Sequence, residues 1–221
     1  MKIIEQSAKM IDPIPLDAYS IVRNIEYAAR KCYKTTDRIT PESGEKMVKS
    51  LIRRGHTSPM EFGNITIEIV TSRDVLAELT RHRLASYCVE SQRYVLEKGD
   101  IEFIKPNFYT NDLLDAKMWC ASRQWEKDME HAENSYHKYV EEYGLPAEHA
   151  RKCLPSSTAT TLVMRANVTE WRHILSLRLD KAAYPEMRTL MDLIRKELQT
   201  VPYVFDDFDE NGKIFLVEVA A

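Results

Sequence analysis

The densest group of potentially reactive side chains lies between Arg81 and Tyr94. This stretch reads Arg-His-Arg-Leu-Ala-Ser-Tyr-Cys-Val-Glu-Ser-Gln-Arg-Tyr and contains three arginines, one histidine and two serines against one acid. An arginine offers five N–H donors in a planar fork that matches phosphate oxygens in pairs, and serine hydroxyls add further donors. The composition therefore favours a site for a phosphate monoester or diphosphate with a planar ring nearby. The alternative is a solvated helix end, because clusters of surface arginines are common.

Two further arginines, Arg151 and Arg178, are candidates for the same chemistry. Around Arg178 the sequence predicts a helix whose apolar stripe is Trp171, Ile174 and Leu175. Arg178 falls on this stripe, seven residues after its first member. A charge there must either reach the surface along its aliphatic stem or meet a polar partner. The sequence leaves two possibilities open, namely snorkelling to solvent or a guanidinium that points into a cavity toward a polar ligand.

Glycine is scarce in this chain, with 6 in 221 residues, well below the average usage of roughly 7%. No two glycines form G-x-G, and none opens a G-x-x-x-x-G-K-[ST] run. The dinucleotide-binding fingerprint and the P-loop are therefore excluded. If the chain binds phosphates, its side chains must supply most of the donors.

Composition indicates a globular protein, with 44% apolar and 29% charged residues. The formal net charge of −3 gives no general attraction for a nucleic-acid polymer or an anionic membrane. No apolar run approaches the roughly 18–20 residues of a membrane span, and the first residues lack the apolar core of a signal peptide. Four widely spread cysteines without a C-x-x-C pair favour a reduced compartment and no zinc site. We expect a cytoplasmic protein.

The elements that must position these residues are predicted from apolar periodicity and capping signals. Thr40 as N-cap and Pro41 at the first helical position predict a helix that ends at Gly55, so that His56 follows a helix exit. The pattern Thr71-x-x-Asp74 resembles a capping box and predicts a helix that ends near residues 81–83. Further elements are predicted as strands at 2–7, 65–69 and 158–167, helices at 16–32, 111–143, 169–179 and 185–198, and a closing hairpin at 211–217.

Five ordered segments resemble the flavin-dependent thymidylate synthase family. Arg81-His82-Arg83, seven residues and then Ser91 reproduce its RHR-x7-S signature, followed by Arg93-Tyr94. The other segments are His56-Thr57-Ser58-Pro59-Met60-Glu61, Ala150-Arg151 through Leu154-Pro155, Asn167 through Glu170-Trp171-Arg172-His173 to Leu177-Arg178, and Ala182-Ala183-Tyr184-Pro185-Glu186-Met187-Arg188. The resemblance spans about residues 2–200. With this resemblance, the solvated helix end becomes the weaker interpretation of the arginine cluster.

The resemblance implies a fold, an activity and an assembly. The implied fold is α+β, a twisted antiparallel sheet flanked by helices, and we expect one domain over residues 1–221. The implied reaction converts dUMP to dTMP with methylenetetrahydrofolate as carbon donor and FAD, reduced by NADPH, as hydride carrier. The active enzyme is expected to be a homotetramer whose sites are shared between subunits.

Site residues are carried over by position in the matching motifs. Arg178 is expected to be catalytic, holding the uracil edge of dUMP and favouring ionisation at its N3. The expected flavin-binding residues are His56, Ser58, Arg81, His82, Arg83, Val89, Asn167, Thr169 and His173. The expected dUMP-binding residues are Glu78, Arg81, Ser91, Gln92, Arg93, Arg151 and Arg178. We interpret Ser91 as a hydroxyl donor, because no base is paired with it in the sequence.

Several positions depart from the family pattern. Cys88-Val89 stands where Asn-Glu is frequent, so that any contact there must be made by the backbone, and Thr169 replaces a usual arginine. Phe62 and Tyr184 replace a frequent histidine and a frequent glutamine or histidine. Two other functions stay open, a hydroxymethylating pyrimidine-nucleotide enzyme and a nucleic-acid-binding module, and the net charge of −3 disfavours the second.

Overall fold

The structure is a computed structural model that describes residues 1–11, 18–109 and 115–212. These residues form seven α-helices and six strands. The helices are α1 (Tyr19–Cys32), α2 (Ser43–Arg53), α3 (Arg73–Leu79), α4 (Ala116–Glu141), α5 (Ala147–Ala150), α6 (Val168–Arg178) and α7 (Pro185–Leu198). The strands are β1 (Lys2–Ile4), β2 (Ser7–Met10), β3 (Asn64–Ser72), β4 (Ala85–Val89), β5 (Glu102–Ile104) and β6 (Ala159–Asn167). Short 3₁₀ turns lie at Thr36–Arg38, Ser58–Phe62 and Arg151–Cys153.

The main sheet has four strands in the order β2-β3-β6-β4 and is antiparallel, which confirms the predicted α+β class. Its two central strands show the alternation expected for half-buried strands. Ile65, Ile67 and Ile69 of β3 are fully buried, as are Leu162 and Met164 of β6. The strand predicted at 158–167 is therefore confirmed over Ala159–Asn167.

A second, two-stranded sheet pairs β1 with β5 in parallel, with Lys2 opposite Glu102 and Ile4 opposite Ile104. The sequence predicted one strand over residues 2–7, whereas the structure has β1 ending at Ile4 and β2 beginning at Ser7. Strands β2, β4 and β5 were not predicted. They are three to five residues long, too short for a periodic signal, and their pairing partners are distant in sequence.

The chain divides into two compact units, each built from three separate segments. Unit 1 comprises Met1–Ser7, Val70–Arg81 and Cys88–Leu162, and unit 2 comprises Ala8–Ile69, His82–Tyr87 and Val163–Ala221. The core of unit 1 contains Ile101, Phe103, Trp125, Met129, Tyr136 and Ala150. The core of unit 2 includes the fully buried Ile25, Met60, Ile65, Trp171, Ile174 and Leu190. The single domain expected over residues 1–221 stays a prediction.

Helices α6 and α7 confirm the predicted helices within one residue, and α1 confirms the part of its prediction that is described. The long helix is confirmed over Ala116–Glu141 and is followed by Gly144 with φ of 66°. Residues 111–114 of its predicted range and most of the closing hairpin lie outside the described residues. Within the described ranges, none of the helices combines the length and apolar content needed to cross a bilayer.

The predicted start of α2 was wrong. The helix begins at Ser43 rather than directly after Thr40, and its N-cap position is Glu42. Thr40 instead belongs to a preceding turn, in which its N–H donates to Ser43 Oγ (2.8 Å) and its carbonyl accepts from the Ser43 N–H (3.2 Å). Because Ser43 satisfies both backbone groups of Thr40, the chain turns once more before the helix starts.

The capping box predicted at Thr71 and Asp74 was also wrong. Strand β3 continues to Ser72, and the Thr71 hydroxyl accepts a hydrogen bond from Gln6 Nε2 (2.8 Å). The first N–H group of α3, that of Arg73, donates to the Ser156 carbonyl (2.9 Å). A backbone carbonyl distant in sequence therefore takes the place of a side-chain cap.

Candidate active site

The exit of α2 positions His56 and Ser58 in unit 2. Gly55 has φ of +65°, a conformation that favours glycine. Its N–H donates to the Ile52 carbonyl (3.0 Å), and the His56 N–H donates to the Leu51 carbonyl (2.9 Å). These two bonds form a Schellman cap. The predicted position of His56 after a helix exit is confirmed, and both the His56 and Ser58 side chains are exposed.

The beginning of α6 lies against this same segment. Thr169 Oγ1 donates to the Thr57 carbonyl (3.1 Å), and the Val168 N–H donates to the Gly63 carbonyl (2.9 Å). Asn167 is the N-cap of α6, and its side-chain oxygen accepts from the Glu170 N–H (2.8 Å). The structure thus brings Thr169 beside Thr57, the residue between His56 and Ser58. It also gives Asn167 a structural role at the helix terminus.

The end of α6 places Arg178 on His82. Arg178 Nε donates to His82 Nε2 at 3.0 Å, and His82 is buried with 7% of its surface exposed. Arg178 itself is half-buried. The structure thus gives Arg178 a buried polar partner within the protein, and its contact with a polar ligand stays a prediction.

His82 is held in its neutral form. Burial lowers its pKa to about 4, and the nearby charges of Arg178 and His173 act in the same direction. Since a guanidinium can only donate, Nε2 is the acceptor in this pair and the proton of the neutral ring lies on Nδ1. The ring of His173, which is exposed, lies edge-on to that of His82 with 6.4 Å between centroids.

Glu170 is a neighbour of this pair that the sequence analysis missed. Its carboxylate is buried, with 6% of the residue exposed, and Oε1 lies 3.8 Å from His82 Nδ1. The Tyr87 hydroxyl donates to the His82 carbonyl (2.9 Å), and burial together with the Glu170 charge raises the pKa of Tyr87 to about 12. The spacing Asn167-x-x-Glu170 matches a capping box, a signal that could have drawn attention to this acid.

Unit 1 collects residues that were expected to bind dUMP. Arg93 Nε forms an ion pair with Glu148 Oε2 (2.9 Å), and the Arg93 N–H donates to Ser91 Oγ (3.2 Å). Glu148 lies on α5, and Arg151 begins the 3₁₀ turn that follows this helix directly. The ion pair therefore brings Ser91 and Arg93 to the segment that carries Arg151. Glu148 was not among the predicted residues.

Arg73 is a second residue of unit 1 that the sequence analysis missed. Its Nη2 donates to the Glu90 carbonyl (3.3 Å), while its Nε is buried without a hydrogen-bond partner. Burial lowers the pKa of Arg73, and the charge of Arg151 acts in the same direction. No local pattern distinguishes Arg73 from an ordinary charged residue at the start of a helix.

The remaining predicted residues lie at or near the ends of α3 and β4. Glu78 and Arg81 are joined through the backbone, since the Arg81 N–H donates to the Glu78 carbonyl (3.2 Å). Arg81 and Arg83 have exposed side chains, Val89 ends β4, and Gln92 is half-buried. Each was predicted from its motif position, and these roles stay predictions.

The cysteines do not provide an activated nucleophile among these elements. All four are free thiols, and Cys32, Cys88 and Cys120 are exposed. Cys153 donates to the Ala150 carbonyl (3.2 Å), and burial raises the pKa of its thiol. A raised pKa favours the unreactive thiol over the thiolate. We therefore interpret Cys153 as a packing residue.

Comparison with known proteins identifies a matching family model and several relatives. The family model for "Thymidylate synthase complementing protein" matches residues 18–202. A probable flavin-dependent thymidylate synthase of Mycobacterium phage L5 is 32% identical over 198 residues, which cover 84% of this chain and 79% of that protein. The flavin-dependent thymidylate synthase of Mycolicibacterium gilvum is 30% identical over 208 residues, covering 89% of this chain and 83% of the relative.

A solved structure shares the fold. The UMP/dUMP methylase PolB from Streptomyces cacaoi, bound with 5-Br dUMP, superposes with a TM-score of 0.75 at 19% identity and covers 93% of this chain and 95% of its own. At 19% identity this likeness shows that the two proteins share a fold. With a family match over most of its length and relatives at 30–32% identity, the chain belongs to the flavin-dependent thymidylate synthase family.

Proposed function

We propose that this protein methylates dUMP to dTMP, with methylenetetrahydrofolate as carbon donor and FAD reduced by NADPH as hydride carrier. In the balanced reaction the methylene carbon passes to C5 of the uracil, the C5 proton leaves, and a hydride originating from NADPH completes the methyl group. Because the reducing electrons come from NADPH, the folate leaves as tetrahydrofolate. The names of the relatives, and the dUMP analogue bound by the methylase of similar fold, support this reaction.

The observation that carries the proposal is the pairing of Arg178 with a neutral, buried histidine. Arg178 Nε donates to His82 Nε2 at 3.0 Å, so that a neutral ring orients the guanidinium. A fixed positive charge in a water-poor site stabilises an anion that forms beside it. We assign Arg178 to the uracil edge of dUMP, where it favours loss of the N3 proton and increases electron density at C5.

The residues assigned to the flavin fit such a ligand. Arg81 and Arg83 have exposed guanidinium groups, and His56 and Ser58 add an exposed imidazole and hydroxyl. This set combines donors for a diphosphate with an imidazole that can lie against a planar ring. When bound, the flavin supplies the hydride chemistry. We also assign Val89, Asn167, Thr169, His82 and His173 to this site. The Thr169 hydroxyl donates to the Thr57 carbonyl, which orients the Thr169 side chain toward the His56–Ser58 segment.

The residues assigned to the dUMP phosphate are Ser91, Arg93 and Arg151, with Glu78, Arg81 and Gln92 beside them in the sequence motifs. Glu148 holds Arg93 at 2.9 Å, which orients the guanidinium before substrate arrives. Orientation in advance reduces the entropy lost on binding. Ser91 serves as a hydroxyl donor in this assignment.

The proposed active form is a homotetramer with shared active sites, located in the cytoplasm. Its mass can be measured by light scattering of the purified protein. A monomer that turns over at the full rate would contradict the shared site.

The reaction is tested with purified protein, dUMP, methylenetetrahydrofolate, FAD and NADPH. We expect dTMP and tetrahydrofolate as products, and no dTMP when NADPH is omitted. Formation of dihydrofolate would contradict the proposed source of electrons. Hydroxymethyl-dUMP as the only nucleotide product would instead support the hydroxymethylating alternative.

Flavin binding is tested by absorption. We expect a yellow protein, or a colourless one that gains a bound-flavin spectrum when FAD is added. A protein that acquires no such spectrum would overturn the assignment of the His56–Ser58 and Arg81–Arg83 segments.

A further inference from the structure

We propose that Glu170 is a positioning residue, whose buried carboxylate keeps the proton of His82 on Nδ1 so that Nε2 can orient Arg178. The inference rests on the proposed function only in the role that it gives to Arg178. The arrangement of Glu170, His82 and Arg178 belongs to unit 2 alone.

The imidazole of His82 links the two charged groups. Glu170 Oε1 lies 3.8 Å from Nδ1, and Arg178 Nε lies 3.0 Å from Nε2 on the other side of the ring. A distance of 3.8 Å is longer than a hydrogen bond, but a carboxylate there still attracts an N–H and repels a ring lone pair. The ring is therefore protonated where it faces Glu170 and accepts where it faces Arg178.

Arg178 and Glu170 favour the same tautomer of His82 from opposite sides of the ring, whereas the remaining neighbours favour neither tautomer. His173 lies edge-on at 6.4 Å between ring centroids, and the Tyr87 hydroxyl bonds the His82 backbone carbonyl rather than the ring. Among the contacts of the described residues, Glu170 is thus the acidic group that faces Nδ1. Which ring nitrogen of a histidine carries the proton is commonly set by such a neighbour.

Two hydrogen bonds fix the backbone that carries Glu170. Its N–H donates to the Asn167 side chain at the start of α6, and the next residue, Trp171, donates from Nε1 to the Ile65 carbonyl (3.0 Å). Burial of a carboxylate without a charged or hydrogen-bonded neighbour is costly. A carboxylate in this position is explained by an electrostatic role toward His82 and, through the ring, toward Arg178.

The tautomer of His82 determines the direction of the Arg178 guanidinium. The group is planar, so a bond at Nε fixes the plane in which its terminal N–H groups lie. If Nε2 carried a proton, two donors would face each other at 3.0 Å and the guanidinium would have to move. A misplacement of about 1 Å in a catalytic group can reduce turnover by about 100-fold.

The test compares Glu170→Met with Glu170→Gln. Methionine has a similar length but removes the acceptor, whereas glutamine retains an oxygen that can face Nδ1. Glu26→Gln is the matched control, because Glu26 is a buried carboxylate of unit 2 that is bonded by Arg30 and Ser43 instead. Nitrogen-15 NMR of the histidine side chains, recorded near neutral pH on protein without flavin or nucleotide, reports the tautomer of His82 directly.

We expect wild type, Glu170→Gln and Glu26→Gln to carry the proton on Nδ1, and Glu170→Met to shift it to Nε2 in a measurable fraction of molecules. In turnover assays Glu170→Met should lose about 100-fold in kcat, with a smaller change in the KM for dUMP, and Glu170→Gln should regain most of that loss.

A wild-type His82 that is protonated on Nε2 would overturn the proposal without any variant. Glu170→Met with an unchanged tautomer would overturn it as well. If Glu170→Met does not fold, the tautomers of wild type and Glu170→Gln still decide, because a proton on Nε2 in either protein would overturn the proposal. Because the NMR measurement needs no flavin or substrate, it can succeed even if the protein makes no dTMP, which would count against the proposed function alone.

Discussion

Acidification should destabilise the folded protein through one buried imidazole, that of His82. In an unfolded chain a histidine takes up a proton near pH 6.5, whereas in the fold the pKa of His82 is lowered to about 4 by burial and by Arg178. Between these values the unfolded state binds the proton more readily than the folded state. The stability contributed by the neutral ring is therefore complete above about pH 6.5 and is lost as the pH falls toward about 4.

The magnitude follows from the two pKa values. The linkage relation gives a loss of about 2 kcal/mol between about pH 7 and pH 5, and about 3 kcal/mol by about pH 4. This loss includes the Arg178 bond, since a protonated Nε2 can no longer accept from the guanidinium. About 3 kcal/mol is a substantial part of the roughly 5–15 kcal/mol that stabilises a typical domain.

The assay is urea unfolding at a single protein concentration, followed by fluorescence at several pH values from about 7 to 4. His82→Gln is the informative variant, because glutamine retains an acceptor for Arg178 but does not titrate. As the pH falls from about 7 to 4, the free energy of unfolding should decrease less in His82→Gln than in the wild type. The difference between the two slopes isolates the contribution of His82 from that of the carboxylates that titrate in the same range. His131→Gln, which replaces an exposed imidazole on α4, should follow the wild type. Identical pH profiles for wild type and His82→Gln would refute the reasoning.

Three further predictions concern α6 and its neighbours. Arg178→Ala should reduce kcat by about 100- to 1,000-fold while FAD titration shows little change in binding; retained dTMP synthesis would refute its assigned role. Asp207→Asn should lower the free energy of unfolding by about 3 kcal/mol or more, because the Asp207 side chain is 4% exposed and accepts hydrogen bonds from both terminal nitrogens of Arg172. The control is Glu142→Gln, which removes a surface ion pair with Lys138 at 3.8 Å. It should change the free energy of unfolding by less than about 1 kcal/mol in the same urea titration. Asn167→Ala should lower the free energy of unfolding by about 1 kcal/mol, since it removes the acceptor for the Glu170 N–H. The measurement is thermal unfolding of the protein without flavin, and an unchanged transition would show that the cap does not contribute to stability.

The accuracy of sequence-based prediction differed between elements for physical reasons. Helix α7 was predicted at its observed bounds, because Pro185 sets its first turn and the apolar stripe repeats along its length. The start of α2 and the cap of α3 were wrong, because Ser43 bonds both backbone groups of Thr40 and the Ser156 carbonyl accepts from the Arg73 N–H. Local signals are reliable only where no other polar group competes for the same donor.

For the candidate site, short motifs named residues whose roles stay predictions, but they did not give the partners of those residues in the fold. Arg178 was singled out because a charge on an apolar stripe needs an explanation. That its partner is His82, 96 residues earlier in the chain, has no counterpart in spacing or periodicity. Glu148, Glu170 and Arg73 were missed because each resembles an ordinary surface charge until its neighbours are known.

The sequence by itself determined the family, the residue types available for phosphate and flavin binding, and the absence of glycine-rich loops, because these depend on local composition and motif order. The tertiary structure decided which of these residues meet. It buried His82, lowered its pKa, and set its ring between Arg178 and Glu170. Burial and the placement of charges depend on segments far apart in the chain. The electrostatics of Arg178 therefore arise only once α6 and the turn that carries His82 have been brought together in the fold.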